Sequence, residues 1–526
     1  MNKVKIHSTT EQLILTLVFL ALTAILVKYN EVRFFTLGND TAGFVDLIRA
    51  VADNGAMVSP IFSSFYSIIP LLAASPDTYC SSPLISVHKT SDFLQWHPYF
   101  ITYLLAMPIK YFGMAPLTIA TIINAINISG SLALIYWFLR NRELLVWECL
   151  SFILVVVTSQ YWIGTLTGQF YFDRLFIFPG LLLVLFCYEK WNNGYRTWLA
   201  VSLLAMLGSA LISERTILLA SVLTIGYWIL SKESRFTKRN ITLFFLGVAG
   251  LIYLFIYMKY FQNSFYYSGL GWRTILHNLN LALTPDGTLF KPTMTWFGIV
   301  LPMVIMSFVN WRYGLLAVAA MLPNLLVTVG GAEKTGFATH YHAGYIPFLI
   351  GFAAIGYASL LNKLRLQNLP GKTWLKKSGI SVIAPVVVMV CGGATTNWSE
   401  VRKVYMTMTP YSSPSESIVK RGEALSSFIA SLPANESISS PEWTMPSLTA
   451  KGIINVDYMP IGIGSNRYVI ANYNSHLNLL EIPSYIDPAG KDQIATCIQN
   501  KLSKDYRVKS EAMLDGVRYV IYEKLL

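Results

Sequence analysis

The chain has 526 residues, of which 54% are hydrophobic and only 13% charged, and its mean hydropathy is +0.48. Soluble domains carry about 25% charged residues, so this composition excludes a soluble globular protein. The net charge of +12 partly reflects basic loops beside membrane spans and is weak grounds for nucleic-acid binding.

The first apolar run, roughly Leu13 to Val27, has membrane-spanning character and is preceded by Lys3 and Lys5. Short cytoplasmic loops collect Lys and Arg, so the N-terminus is expected inside and the stretch that follows outside. A cleaved signal peptide is not expected, because apolar runs recur as far as residue 394 and no small-residue cleavage site follows the first. The outer stretch, Asn30–Pro98, opens on Phe34-Phe35-Thr36-Leu37-Gly38-Asn39-Asp40 and holds an amphipathic piece at Thr41–Ala52. Asp40 reads either as a loop carboxylate closing an Asx-turn after Gly38 or as a group placed for chemistry just outside the first span.

His97 to Gly113 is apolar but short and carries Pro108 and Lys110. Counting it as a span would put Arg140-Asn141-Arg142 outside, so it is read as an interfacial or re-entrant helix. The remaining spans then fall near 115–139, 144–163, 175–190, 199–212, 216–230, 241–258, 294–309, 313–329, 343–361 and 379–394. The total is about eleven. Outer loops are expected at Lys259–Lys291 and Gly330–His342, and basic cytoplasmic segments at 232–239 and 362–377.

After residue 397 the character changes. Ser413–Ser431 and Lys491–Lys501 read as helices, and Gly452–Val456, Arg467–Ala471 and Val517–Tyr522 as short strands rich in β-branched and aromatic residues. Helices alternating with strands predict a small α/β domain over 398–526, placed outside the membrane. Residues 1–397 form the transmembrane domain, with its long first outer loop at 30–98. Ile461-Gly462-Ile463-Gly464-Ser465 lacks the third glycine and following helix of a nucleotide-binding fingerprint. The five cysteines show no metal pattern. Cys80 and Cys497 lie far apart in polar regions, which leaves room for a disulfide in an oxidising compartment.

This register brings most of the unusual polar residues to one face of the membrane. Asp40 and His97 flank the first outer loop. Asp173 and Arg174 begin one span, Glu214 and Arg215 form a tight outer turn, and Glu333, Lys334, His340 and His342 sit before residue 343. Ionisable groups at membrane depth are costly and need a reason, although Arg snorkelling to headgroups explains part of them. Carboxylates beside guanidinium groups suit the binding and cleavage of a phosphorylated lipid. His340 and His342 are two residues apart, so they meet on one metal ion only from a strand or irregular loop. As ordinary loop or phosphate-binding histidines they need no metal.

The pattern resembles the GT-C superfamily of polytopic glycosyltransferases. The resemblance rests on Gly38-Asn39-Asp40 opening a long outer loop, and on His97-Pro98 to Phe112-Gly113 before the second span. It extends to the Ser213-Glu214-Arg215-Thr216 turn and the run from His340-Tyr341-His342 to Ile346-Pro347-Phe348. These last two also look like predicted bacterial membrane proteins of unknown function related to that superfamily. The chain has Asn39-Asp40 where some members carry a paired Asp-Glu, and it lacks the Trp-Trp-Asp signature of oligosaccharyltransferases.

The resemblance implies a polyprenyl-phosphate-sugar donor and transfer at the outer face of a bacterial inner membrane. The acceptor would be a cell-envelope polysaccharide or lipid, such as lipopolysaccharide or O-antigen. Asp40 would be the general base. Arg174, Arg215 and Lys334 would bind the donor phosphate, with His97, Asp173, Glu214, His340 and His342 as further substrate-site candidates. No metal ligands are assigned and the cofactor is left open, a divalent metal being one candidate. A polysaccharide polymerase or ligase handles the same lipid-linked substrates. A flippase is disfavoured by the lack of an inverted repeat and by charges gathered at one face.

Overall fold

The computed structural model describes residues 9–34, 39–64, 92–167, 170–189, 194–231, 235–262, 272–326, 342–366, 416–474, 480, 491–514 and 516–525. The chain divides into two compact units. The first comprises Met1–Leu26, His97–Ile101 and Ile122–Met406, and the second Val27–Trp96, Thr102–Thr121 and Thr407–Leu526.

Among the described residues, the apolar runs that the sequence reads as spans are helical, because hydrocarbon leaves backbone N–H and C=O groups no partner but their own helix. Among the described residues, six helices are long and apolar enough to cross a membrane: Thr9–Glu31, Pro116–Asn141, Tyr195–Ile212, Lys238–Tyr260, Phe290–Ser307 and Ile346–Arg365. Val146–Thr158 and Gln160–Leu166 make a seventh if they are taken as one span bent by 68°. The run expected near 175–190 is an irregular helix, 3₁₀ over Phe172–Phe176, α over Ile177–Leu182 and π over Leu183–Tyr188. Glu214–Leu230 and Trp311–Leu326 occupy the runs expected near 216–230 and 313–329. The run near 379–394 lies outside the described residues. Ile101–Phe112 is a short helix carrying Pro108. The stretch read as a loop over 259–291 contains a helix, Trp272–Leu283, whose Trp272, Leu276 and Leu283 are exposed.

Small residues let the helices of the first unit approach closely, as membrane packing favours. A Cβ at Gly250 would lie 2.1 Å from Ser221 Oγ, so only glycine fits between Lys238–Tyr260 and Glu214–Leu230. One end of this unit is tied by ion pairs. Glu11 receives Arg140 Nε at 2.6 Å and the Tyr136 hydroxyl at 2.9 Å. Arg142 pairs with Glu189, and Arg365 with Glu148.

The second unit holds a five-stranded sheet of order β2-β1-β3-β5-β4, with β1 Ser437–Ser440, β2 Asn455–Tyr458, β3 Tyr468–Asn474, β4 Tyr506–Leu514 and β5 Val517–Lys524. β1 is parallel to β2 and β3, β5 is antiparallel to β3, and β4 and β5 form a hairpin. Helices Glu416–Phe428, Met445–Ala450 and Lys491–Asp505 complete the α/β fold. Gly462 has φ +84°, and any Cβ there would lie 2.2 Å from Asn466 Nδ2, so the turn after β2 requires glycine twice over.

The loop helix Asn39–Asn54 belongs to this same unit. It packs on Met445–Ala450, and Ala42 and Ile61 join Met445, Leu448 and Tyr458 in one apolar core. Ser64 Oγ accepts the Tyr458 backbone N–H at 2.7 Å. Cys497 is disulfide-bonded; Cys80, the partner for which the sequence leaves room, lies outside the described residues.

Candidate functional site

The first unit gathers a buried polar centre from three separate segments. Ser213 N-caps the helix Glu214–Leu230, which aims Glu214 in its first turn. The 3₁₀ turn Phe172–Phe176 presents Asp173, and the short segment before Ile101 presents His97 and Tyr99. His97 Nδ1 lies 2.8 Å from Glu214 Oε1. The Tyr99 hydroxyl donates to Asp173 Oδ2 at 2.9 Å and the Ser213 hydroxyl to Asp173 Oδ1 at 2.6 Å. The His97 and Tyr99 rings are 5.1 Å apart, and Tyr99 packs edge-on against Phe172 at 5.2 Å. Burial, and then the charges of Asp173 and Glu214, push the Tyr99 hydroxyl well above its ordinary pKa, so it stays a donor.

Of the two acid–base neighbours, Glu214 and Arg215 make a long ion pair, whereas Asp173 and Arg174 take other partners. Arg174 turns its Nη1 to the Thr165 carbonyl at 2.8 Å, and its own carbonyl accepts from Asn127 Nδ2 at 3.0 Å. Asp173 relies on Tyr99 and Ser213 instead. Glu214 bonds His97, with Arg215 Nε at 3.9 Å. Arg215 is half-buried, whereas Arg174 is fully buried.

His342 is buried and its Nδ1 sits 2.8 Å from the Tyr345 hydroxyl, which also accepts from Trp296 Nε1 at 2.8 Å. An indole N–H can only donate, so the Tyr345 oxygen accepts from Trp296 and its own proton is free to meet His342 Nδ1. Lys334 and His340 lie outside the described residues. Among the described residues, no group of three or more His, Cys, Asp or Glu side chains is arranged to hold a metal.

The second unit has its own charged groups. Asp40 lies in the first turn of Asn39–Asn54, where the helix N-terminus favours negative charge. Asp46, two turns on, is buried, accepts the Ser59 hydroxyl at 2.6 Å and pairs with Arg49. Burial outweighs the Arg49 attraction and raises its carboxyl to about 6. Glu442 follows β1. Burial first and the Asp40 charge second raise its pKa, against a lowering bond from the Tyr458 hydroxyl.

Sequence reasoning missed Tyr99, Ser213 and Glu442. Tyr99 stands two residues after His97, and Ser213 is the cap residue a helix start calls for, so both left a local signal. Glu442 left none, because its neighbour Asp40 is remote in the chain.

The fold is like that of ArnT. A structure of ArnT from Cupriavidus metallidurans bound to undecaprenyl phosphate superposes with a TM-score of 0.50 at 10% identity, covering 98% of this chain and 99% of that one. The predicted membrane protein family DUF2079 matches residues 71–511, and the chain belongs to it. None of the curated proteins matches the chain by sequence.

Proposed function

We propose that the protein is a membrane glycosyltransferase that moves a sugar from a polyprenyl-phosphate donor to a cell-envelope glycan or lipid at the outer face of a bacterial inner membrane. The observation that carries this reading is the position of Asp40. It heads the helix that follows the first apolar helix, in a chain whose ArnT-like fold runs almost end to end. The related ArnT structure holds undecaprenyl phosphate, and the same class of lipid is the donor carrier proposed here.

In the reaction, an acceptor hydroxyl oxygen bonds to the anomeric carbon. The bond from that carbon to the phosphate oxygen breaks, and polyprenyl phosphate leaves with the electron pair. Asp40 takes the hydroxyl proton. Arg215 and Lys334 are the proposed cations for the departing phosphate. Arg174 is a weaker candidate for that role, because its guanidinium already serves the Thr165 carbonyl. His97 and Glu214 are proposed to orient substrate groups through their shared hydrogen bond.

The test is release of polyprenyl phosphate from polyprenyl-phosphate sugars by the purified full-length protein. Asp40→Asn keeps the shape of the side chain and removes the proton acceptor. It is expected to slow transfer by about 10²–10⁴-fold with donor binding retained. Transfer by Asp40→Asn at close to the wild-type rate would remove Asp40 from the mechanism and move the role of base to Glu214.

A further inference from the structure

In the sheet order β2-β1-β3, the chain leaves β1 for a neighbour on one side and returns to its other side. All three strands are parallel. In open parallel sheets ligands characteristically sit at the carboxyl ends of the strands beside such a reversal, here the end of β1. The turn leaving β1 at this point is Pro441-Glu442-Trp443-Thr444. It is held rigid by Thr444, whose backbone N–H and hydroxyl both donate to the Pro441 carbonyl, at 3.2 and 3.0 Å, and whose hydroxyl also meets that of Ser440.

Trp443 is 50% exposed, although the turn runs straight into Met445 and Leu448, which are wholly buried. Glu442 is half-buried, with the Tyr458 hydroxyl, from the carboxyl end of β2, 3.4 Å from its Oε2. The packing of Asn39–Asn54 on Met445–Ala450 brings the charge of Asp40 close enough to act on Glu442. The edge therefore combines an exposed indole on a hydrogen-bonded turn with two carboxylates. Two carboxylates repel a phosphate, which makes this edge unsuited to the donor's phosphate group. They accept hydrogen bonds from hydroxyls, and an indole face stacks on the apolar face of a sugar ring.

We propose that the carboxyl edge of β1 is the acceptor subsite and that the acceptor is a glycan: Trp443 stacks on a sugar ring, and Glu442 accepts a hydrogen bond from a hydroxyl beside the one that Asp40 deprotonates. This rests on the reading of Asp40 as the base. Glu442 orients the sugar, so its loss raises the acceptor KM more than it lowers kcat.

The experiment measures capture of short oligosaccharides of glucose, galactose, mannose, rhamnose and N-acetylglucosamine by the detergent-purified full chain. Wild type, Trp443→Ala, Trp443→Phe and Glu442→Gln are compared, with binding of polyprenyl phosphate as the control for folding. Capture by the wild type, weakened about tenfold in Trp443→Ala and largely restored in Trp443→Phe, is the expected result. Capture unchanged in both Trp443→Ala and Glu442→Gln overturns the subsite, as does a wild type that captures no glycan while binding polyprenyl phosphate. Donor cleavage, followed separately, tests the transferase reading. A wild type that captures glycans through Trp443 but cleaves no polyprenyl-phosphate sugar overturns that reading and not the glycan site.

Discussion

His97 Nδ1 and Glu214 Oε1 lie 2.8 Å apart although 117 residues separate them in the chain. Both side chains are buried. With the carboxylate as acceptor, Nδ1 carries the shared proton, and the other nitrogen of a neutral ring keeps its lone pair. This carboxylate–imidazole pairing fixes the tautomer and orientation of His97.

Glu214→Ala leaves the buried Nδ1–H without that acceptor and is expected to lower unfolding free energy by about 1–3 kcal/mol. Glu214→Gln keeps an acceptor oxygen at the same reach and should lose less. Thermal unfolding of the two variants in detergent reads the difference. Equal losses would mean that the hydrogen bond contributes nothing beyond packing.

Tyr99→Phe preserves the ring contacts with His97 and Phe172 but deletes one of two donors to buried Asp173. The expected loss is about 1–3 kcal/mol. The folded-state pKa of the Tyr99 hydroxyl is raised above its unfolded value, so the group is protonated in both states at any pH below about 9. The loss should therefore stay constant between about pH 6 and pH 9. A loss that shrinks with rising pH across that window would contradict the assignment of the proton to Tyr99.

Asp46 makes the opposite kind of prediction, one that depends on pH. Its carboxyl is raised from 3.8 to about 6 by burial, with Arg49 and Ser59 lowering it and Asp53 raising it. The folded state thus holds the Asp46 proton more tightly than the unfolded state. The stabilisation this provides is fully present below about pH 3.8 and lost as pH rises through about 6, a change of roughly 3 kcal/mol. Asp46→Asn cannot titrate, so its unfolding free energy should lack that decline. Denaturant unfolding from about pH 4 to pH 8 compares the slopes, and parallel curves for the two proteins would refute the shift.

The proposed topology puts the α/β domain outside the cell membrane, because that register leaves Arg140, Arg142, Arg235, Lys238, Arg239, Lys376 and Lys377 all on the cytoplasmic side. A cysteine placed at exposed Gln493, on the helix Lys491–Asp505, should react with a membrane-impermeant maleimide added to intact cells. Labelling only after the membrane is opened would reverse the orientation.

The membrane helices were legible from the sequence because their cause is local. An apolar run in hydrocarbon must satisfy its backbone within itself, so composition alone marks Thr9–Phe34, Pro116–Asn141 and Lys238–Tyr260. The same holds for the helix near 41–52, whose apolar stripe repeats at helical spacing, and for β3 and β5, rich in β-branched and aromatic residues. β4 was legible but missed: its alternation of polar and apolar residues has the two-residue period of a strand, masked by Arg507, Lys509 and Glu511. β1, Ser-Ile-Ser-Ser, carries too little signal; it is a strand because β2 and β3 pair with it on either side.

The charged residues divide along the same line. Sequence alone marked Asp40, His97, Asp173 and Glu214 as unusual, since ionisable groups beside apolar runs are costly. It could not say that His97 meets Glu214, that Asp173 is held by Tyr99 and Ser213 and not by Arg174, or that Asp40 acts on Glu442. Those partners are chosen by packing between segments far apart in the chain, where a buried polar group takes whichever donor or acceptor the fold brings within reach, and no local period records that choice.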